Sequence, residues 1–190
     1  MRLLLASTSP QRRAILEQLR VPHEAVAPDY VEHDPPDADA VEFVRGHAEG
    51  KARSVQRAGR ITLGVDTAVV LDHCVYGKPD GRAGAVAMLR QLSGLTHTVL
   101  SGLCLLGPGF EIVRHESTEV TFREIGEREI DAYLASGEWQ GRAGGYAIQG
   151  LGARLVERVD GDYLNVVGLP AALLLDLLAA HAPELLEVRS

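Results

Sequence analysis

The 190-residue chain has little cysteine, little lysine and no excess of positive charge. Its two cysteines, Cys74 and Cys104, are too few for a disulfide framework or a structural zinc site. The formal net charge of −7 argues against general nucleic-acid binding, which needs a basic surface. The apolar stretch at 164–182 is broken by Asn, Gly, Pro, Asp and His, so no membrane span is expected. We therefore expect a soluble cytoplasmic protein that binds neither nucleic acid nor membrane.

Lysine is the scarcest basic residue, because Lys51 and Lys78 stand against 17 arginines. The arginine guanidinium is a wide planar fork, whereas the lysine ammonium is compact and strongly hydrated. A lysine that persists in such a chain is expected to do what arginine cannot, such as pressing a small cation against phosphate oxygens. Codon bias with chance explains either lysine alone. A functional role is favoured for the two together, since each lies in a segment flanked by Gly or Ala.

Length and residue pattern predict a single α/β domain over residues 1–190. Strand-like and helix-like segments alternate in the first half, and two long strand-like segments, 96–106 and 112–122, follow in the middle. This order favours a mixed β-sheet with flanking helices. Later segments predict a helix at 85–92, a strand at 153–159 and a hairpin turn at 160–162.

The polar segment after the first strand predicts an anion site. Ser9 followed by Pro10 is a strong helix-start signal, with Ser9 as the N-cap. Hydroxyls and free backbone N–H groups at a helix N-terminus bind anions, and Arg12 and Arg13 can extend such a site over a polyphosphate. Two cations in the first turn oppose the helix dipole, which suggests an anion nearby. An ordinary N-cap with solvated arginines is the alternative.

Asp66 interrupts an apolar, β-branched segment at 61–71. A buried carboxylate is costly unless it is paired or bound to a metal, so Asp66 is a candidate Mg²⁺ ligand or general base. A turn or hairpin bend at Asp66 explains the sequence equally well. Gly64 nearby allows close approach of another backbone. Gly50, next to Lys51 on a predicted helix, costs about 1 kcal/mol relative to alanine, which suggests that something packs against that face.

Two Gly-containing loops add further candidates. Residues 77–79 form a rigid loop that presents Lys78, although the other elements of a P-loop are missing. The Gly-rich stretch at 143–150 lets a ligand approach the backbone, and the Gln149 amide can both donate to and accept from a base edge. His97, at the start of a strand, is expected to be a structural hydrogen-bonding residue.

Taken in order, these segments resemble the Maf family of nucleoside triphosphate pyrophosphatases. The matching pieces are LASTSP with Arg12, the Lys51 helix, GVDT at 64–67, GKP at 77–79, LSGLTH at 92–97, AGGYAIQG at 143–150 and VVGLP at 166–170. Ordered motifs over residues 3–180 are far more specific than any one of them. The resemblance implies an elongated, two-lobed Maf/ITPase-like fold with a cleft between the lobes. It also implies hydrolysis of a nucleoside triphosphate to the monophosphate and pyrophosphate with a divalent cation, Mg²⁺ or Mn²⁺.

The resemblance also implies residue roles. Asp66 matches the catalytic proton acceptor of the family, and Thr67 and Gln149 match the subgroup that prefers dTTP and UTP. The expected catalytic residues are Asp66, Lys51 and Lys78. The expected substrate-binding residues are Ser7, Gln11, Arg12, Arg13, Thr67 and Gln149. The expected metal ligands are Asp66 and Glu32.

Two positions depart from the family pattern. Gln11 replaces the first of two arginines, which leaves the effect on base preference open. Val31 replaces one of two adjacent acids, so either Glu32 or the nearby Asp29 can join Asp66 at the metal. Two functions follow: hydrolysis of dTTP and UTP, with modified pyrimidine nucleotides as further substrates, or a nucleotide-binding regulator of cell division with little turnover. The sequence is compatible with a homodimer but does not specify one.

Overall fold

A computed structural model describes residues 2–32 and 39–187 of the chain. Within these ranges the strands are β1 (Leu3–Ala6), β2 (His23–Val26), β3 (Thr62–Leu71), β4 (Cys74–Tyr76), β5 (Thr96–Gly107), β6 (Phe110–Phe122) and β7 (Val156–Asp160). These seven strands form one sheet in the order β2-β1-β3-β5-β6-β7, with β4 paired to β3. The helices are α1 (Pro10–Gln18), α2 (Ala40–Val55), α3 (Gly81–Leu92), α4 (Glu127–Ala135), α5 (Tyr163–Val167) and α6 (Ala171–His181).

The sheet is mixed, as the sequence predicts. β1 pairs in parallel with both β2 and β3, with Leu4 opposite Thr62 in the second pair. β4 pairs antiparallel with the end of β3, and β7 pairs antiparallel with β6. Among the described residues, no helix is long and apolar enough to cross a lipid bilayer.

The chain divides into two compact units. Of the described residues, one unit contains 2–32, 39–67, 101–116 and 168–187, and the other contains 68–100 and 117–167. Strands β3, β5 and β6 contribute residues to both units. Eight of the candidate site residues belong to the first unit: Ser7, Gln11, Arg12, Arg13, Glu32, Lys51, Asp66 and Thr67. Lys78 and Gln149 belong to the second.

In the first unit, two glycines bring helix α2 close to the sheet. A Cβ on Gly64 would collide with the carbonyl oxygen of Ala48, and a Cβ on Gly102 would collide with the backbone of Val44. The close approach predicted at Gly64 is therefore confirmed. A buried cluster fills the contact: Ala48, Ala52, Cys104 and Leu106. Burial raises the pKa of the Cys104 thiol to about 12, which makes this cysteine an inert core residue.

The second unit has its own core, formed by residues of α3, α4 and the sheet. His97 is part of it: its Nε2 lies 2.8 Å from the Tyr146 hydroxyl, and its ring packs edge-on against Phe122. Burial lowers the pKa of His97 to about 4, so the imidazole is neutral at pH 7. The structural hydrogen bond predicted for His97 is confirmed.

Several local predictions need correction. The helix predicted at 85–92 begins earlier, at Gly81. Its first turn contains Gly81 and Gly84, and glycine disfavours a helix, so the sequence did not predict that turn. The strand predicted at 153–159 is Val156–Asp160, since residues Leu151–Leu155 form a 3₁₀ helix. The turn at 160–162 does not lead into a hairpin. The Asp162 carboxylate instead accepts from the backbone N–H of Leu164 and starts α5. A bend at Asp66 is also wrong, because β3 runs unbroken through it.

Candidate active site

The Lys51 ammonium is the centre of the candidate site. Its Nζ lies 2.5 Å from Asp66 Oδ1 and 2.6 Å from Glu32 Oε1. The side chains of Lys51 and Asp66 are only 11% and 13% exposed, whereas that of Glu32 is 51% exposed. The structure thus brings together a lysine and two carboxylates that the sequence singled out. Of the two acids that could accompany Asp66, Glu32 is the one that contacts this cation.

The packing of α2 on β3 explains why Lys51 meets Asp66. Side chains two residues apart on a strand lie on the same face, so Gly64 and Asp66 both face α2. Residues three apart on a helix also share a face, so Ala48 and Lys51 both face the strand. Gly64 lacks a Cβ, so the helix backbone at Ala48 can lie directly against the strand. Lys51, about one helical turn after Ala48, then reaches Asp66, two residues after Gly64.

Arg12 links the first loop to β3 and to Gly168, two residues before Pro170. Its Nε donates to the Gly168 carbonyl at 2.9 Å, one Nη donates to Ser7 Oγ at 3.3 Å, and the other donates to Thr67 Oγ1 at 3.2 Å. Three acceptors at fixed angles match the planar fork of arginine and cannot all be reached by a lysine ammonium. Arg12 therefore holds the predicted Ser7 and Thr67 in one cluster.

The charges of this cluster nearly cancel. Burial lowers the pKa of Arg12, and the negative charges of Asp66 and Glu32 oppose that effect. A guanidinium nevertheless stays protonated near neutral pH. Arg12 and Lys51 thus offset Asp66 and Glu32. A bound triphosphate would add several negative charges to a cluster with no net positive charge, which favours an accompanying cation.

The loop before α1 forms the N-cap that the sequence predicts. Ser9 Oγ accepts from the backbone N–H of Arg12 at 3.5 Å, and Pro10 is the first helical residue. The buried Ser7 Oγ accepts from the Ser9 N–H and from Arg12, which fills its lone pairs and leaves its O–H free to donate to an anion. Gln11 folds back to accept from the Ser9 hydroxyl at 3.1 Å. Arg13 is exposed, and its predicted contact with substrate stays a prediction.

Lys78 and Gln149 are exposed residues of the second unit. Lys78 lies in the loop between β4 and α3. Gln149 lies in a loop that is anchored just before it, because the Tyr146 hydroxyl bonds to His97 and the Ala147 N–H donates to a buried tyrosine hydroxyl, that of Tyr133. Their predicted contacts with substrate remain predictions.

Sequence reasoning missed Ser101, which is fully buried on β5. Its Oγ lies 2.9 Å from Thr67 Oγ1, so it supports the hydroxyl that Arg12 also contacts. A signal was available, because Ser101 is a lone hydroxyl inside the apolar stretch at 99–106. A buried hydroxyl needs a partner, and Thr67 supplies one.

The two carboxylates, Asp66 and Glu32, fit a hard divalent cation whose remaining ligands come from water and substrate phosphate. Among the described residues, no group of three or more His, Cys, Asp or Glu side chains is arranged to hold a metal ion. Mg²⁺, however, is usually held by one or two carboxylates, and waters and substrate phosphates complete its shell. Asp66 and Glu32, converging on one positive charge, are such a pair.

Residues 2–181 match the sequence profile of the Maf-like protein family. The chain belongs to this family. The dTTP/UTP pyrophosphatase of Gloeobacter violaceus is 46% identical over 180 residues, which cover 94% of this chain and 95% of that protein. The dTTP/UTP pyrophosphatase of Nitratidesulfovibrio vulgaris is 44% identical over 179 residues, 92% of this chain and 85% of that protein.

The fold extends beyond the Maf-like family. The solved structure of a HAM1 protein from Coxiella burnetii aligns with a TM-score of 0.53 over 96% of this chain and 100% of that chain. Only 15% of the aligned residues are identical, so this likeness concerns the fold alone. It agrees with the mixed, ITPase-like α/β architecture predicted from the sequence.

Proposed function

We propose that this Maf-like protein is a nucleoside triphosphate pyrophosphatase that hydrolyses dTTP and UTP to the monophosphate and pyrophosphate, with Mg²⁺ or Mn²⁺. The observation that carries the proposal is the buried contact between Lys51 and Asp66, beside the Arg12–Ser7 cluster. Relatives 44% and 46% identical over most of their length bear the name dTTP/UTP pyrophosphatase. A cytoplasmic location, where nucleotides are abundant, is part of the same proposal.

In this reaction water adds to the α-phosphorus, the bond to the bridging oxygen breaks, and pyrophosphate leaves. Asp66 orients the attacking water and accepts its proton, as a positioned carboxylate can. Lys51 touches Asp66 and stabilises negative charge on the transferring phosphoryl oxygens. The Ser7 hydroxyl and the remaining N–H groups of Arg12 bind further phosphate oxygens. A divalent cation held by Asp66 and Glu32 would neutralise phosphate charge.

Base selection is assigned to three residues by the family resemblance. Thr67 and Gln149 match the residues of the subgroup that prefers dTTP and UTP. Neither supplies the aromatic face or the carboxylate that would bind a cationic methylated purine. Gln11 is bound back to Ser9 through its carbonyl oxygen, which leaves its NH₂ group to meet substrate. Lys78 is proposed as a second phosphate-binding cation. Substitution of Lys78 and of Gln149 by alanine, with kcat and KM compared for dTTP and UTP, tests these two roles.

The direct experiment is pyrophosphate release by the purified protein with Mg²⁺ or Mn²⁺ across dTTP, UTP, CTP, GTP and 7-methyl-GTP. We expect preference for dTTP and UTP, and loss of release when the metal is chelated. Nucleotide binding with no pyrophosphate release from any substrate would instead support a regulator of cell division with little turnover.

A further inference from the structure

Tyr30 packs onto helix α2 beside the active-site lysine. Its hydroxyl lies 3.2 Å from His47 Nδ1, and its ring meets the His47 ring edge-on with a centroid distance of 5.7 Å. His47 is in turn held by Phe43, one helical turn earlier, with ring centroids 4.4 Å apart. Tyr30 is therefore seated on an aromatic cluster of one helix face.

Gly50 leaves the space that the Tyr30 ring occupies on α2. A Cβ at this position would overlap three carbons of the Tyr30 ring, Cε2, Cζ and Cδ2. Glycine inside a helix is less stable than alanine, so α2 loses some helix stability at the position where the Tyr30 ring packs. The residue that the sequence flagged as anomalous thus contacts an aromatic side chain two positions before Glu32.

The segment around Tyr30 alternates in direction although it forms no helix or strand. Tyr30 faces α2, Val31 is 70% exposed, and Glu32 again faces α2 and contacts Lys51. The Tyr30 ring and the Glu32 carboxylate thus lie on the same side of this short segment, so the position of the ring directs the carboxylate. Glu32 is half exposed, so burial alone does not fix it.

We infer that Tyr30 is a positioning residue: seated on Gly50 and bonded to His47, it holds the Glu32 carboxylate against Lys51 as one ligand of the divalent cation. This inference rests on the proposed function. It assigns the aromatic side chain a task at the metal, through Glu32, and none in direct contact with substrate.

Mn²⁺ binding to the full chain tests this without turnover, with free Mn²⁺ measured by electron paramagnetic resonance. We expect Tyr30→Ala to weaken Mn²⁺ binding about 10-fold, the lower end of what residues supporting metal ligands contribute. Tyr30→Phe, which keeps the ring on Gly50, should bind closer to wild type. In a Glu32→Gln background, Tyr30→Ala should cause no further loss, because coupled residues are not additive.

Gly50→Ala provides an independent variant, and Gly46→Ala is its matched control on the same helix. A Cβ at Gly46 meets nothing within 4 Å, so Gly46→Ala should raise Tm and leave Mn²⁺ binding unchanged. Gly50→Ala should lower Tm and weaken Mn²⁺ binding in the wild-type chain. In the Tyr30→Ala background the same substitution should raise Tm, because the ring that it would strike is gone.

Wild-type Mn²⁺ affinity in Tyr30→Ala and Gly50→Ala, with pyrophosphate release intact, would overturn the role of Tyr30 and leave the proposed function standing. Absence of both pyrophosphate release and Mn²⁺ binding in the wild-type chain would overturn the proposed function and this inference with it.

Discussion

Replacing Lys51 with methionine removes the charge at the centre of the cluster and keeps a side chain of similar length. Removing one partner of a buried ion pair costs about 3–5 kcal/mol, because the other charge stays buried. The Asp66 side chain is only 13% exposed, so little of that cost is screened, while the half-exposed Glu32 carboxylate can turn to water. We therefore expect the free energy of unfolding to fall by about 3 kcal/mol, near the lower end of that range. For a chain of this length, that loss corresponds to a Tm lower by roughly 6–12 °C.

Urea unfolding at pH 7, followed by circular dichroism, measures this loss directly. The other lysine supplies the control, since Lys78 is exposed and Lys78→Met should change stability by less than about 0.5 kcal/mol. Pyrophosphate release should also fall by at least about 100-fold in Lys51→Met. A loss of stability below about 1 kcal/mol would refute the argument that Lys51 neutralises a buried carboxylate.

Two further predictions concern Arg12 and His97. Arg12→Lys keeps the charge but leaves at least one of the three acceptors without its donor. We therefore expect the free energy of unfolding in urea to fall by about 2–3 kcal/mol. A change within about 0.5 kcal/mol, the range of ordinary surface substitutions, would contradict this. His97 has a folded pKa of about 4, below its ordinary value of 6.5, so the unfolded chain binds the extra proton first as the pH falls. Its contribution is complete above pH 6.5 and is lost progressively towards pH 4, by up to roughly 3 kcal/mol. His97→Gln should flatten that part of the stability–pH curve, and equal slopes in both proteins would speak against it.

Local signals in the sequence predicted the parts of the site that depend on neighbouring residues. Ser9 and Pro10 begin α1 as expected, because capping depends only on the first turn. Gly64 predicted a close backbone approach, and α2 lies there. The identity of the approaching residue could not be read, since Ala48 becomes its neighbour only through tertiary packing.

The contacts missed by sequence reasoning link distant segments. Arg12 bonds to Gly168, 156 positions away, and Thr67 bonds to Ser101, 34 positions away. No pattern of period 2 or 3.6 relates such residues. Asp66 is an example. The residues around it are compatible with a bend or with a strand that carries a charge. The pairing of Asp66 with Lys51 offsets the cost of burying the carboxylate and so permits the unbroken strand.

The most direct test of the account is pyrophosphate release from dTTP by Asp66→Asn. Asparagine keeps the shape of the side chain but cannot accept the proton of water, and Lys51 keeps its contact with Glu32. We predict a loss of about 10²- to 10⁴-fold in kcat, with the circular dichroism spectrum unchanged. The control is Asp72→Asn, an exposed residue just after β3 whose positive φ of 49° asparagine tolerates, and it should keep full activity. Wild-type turnover in Asp66→Asn would contradict the central claim that this carboxylate performs the proton transfer.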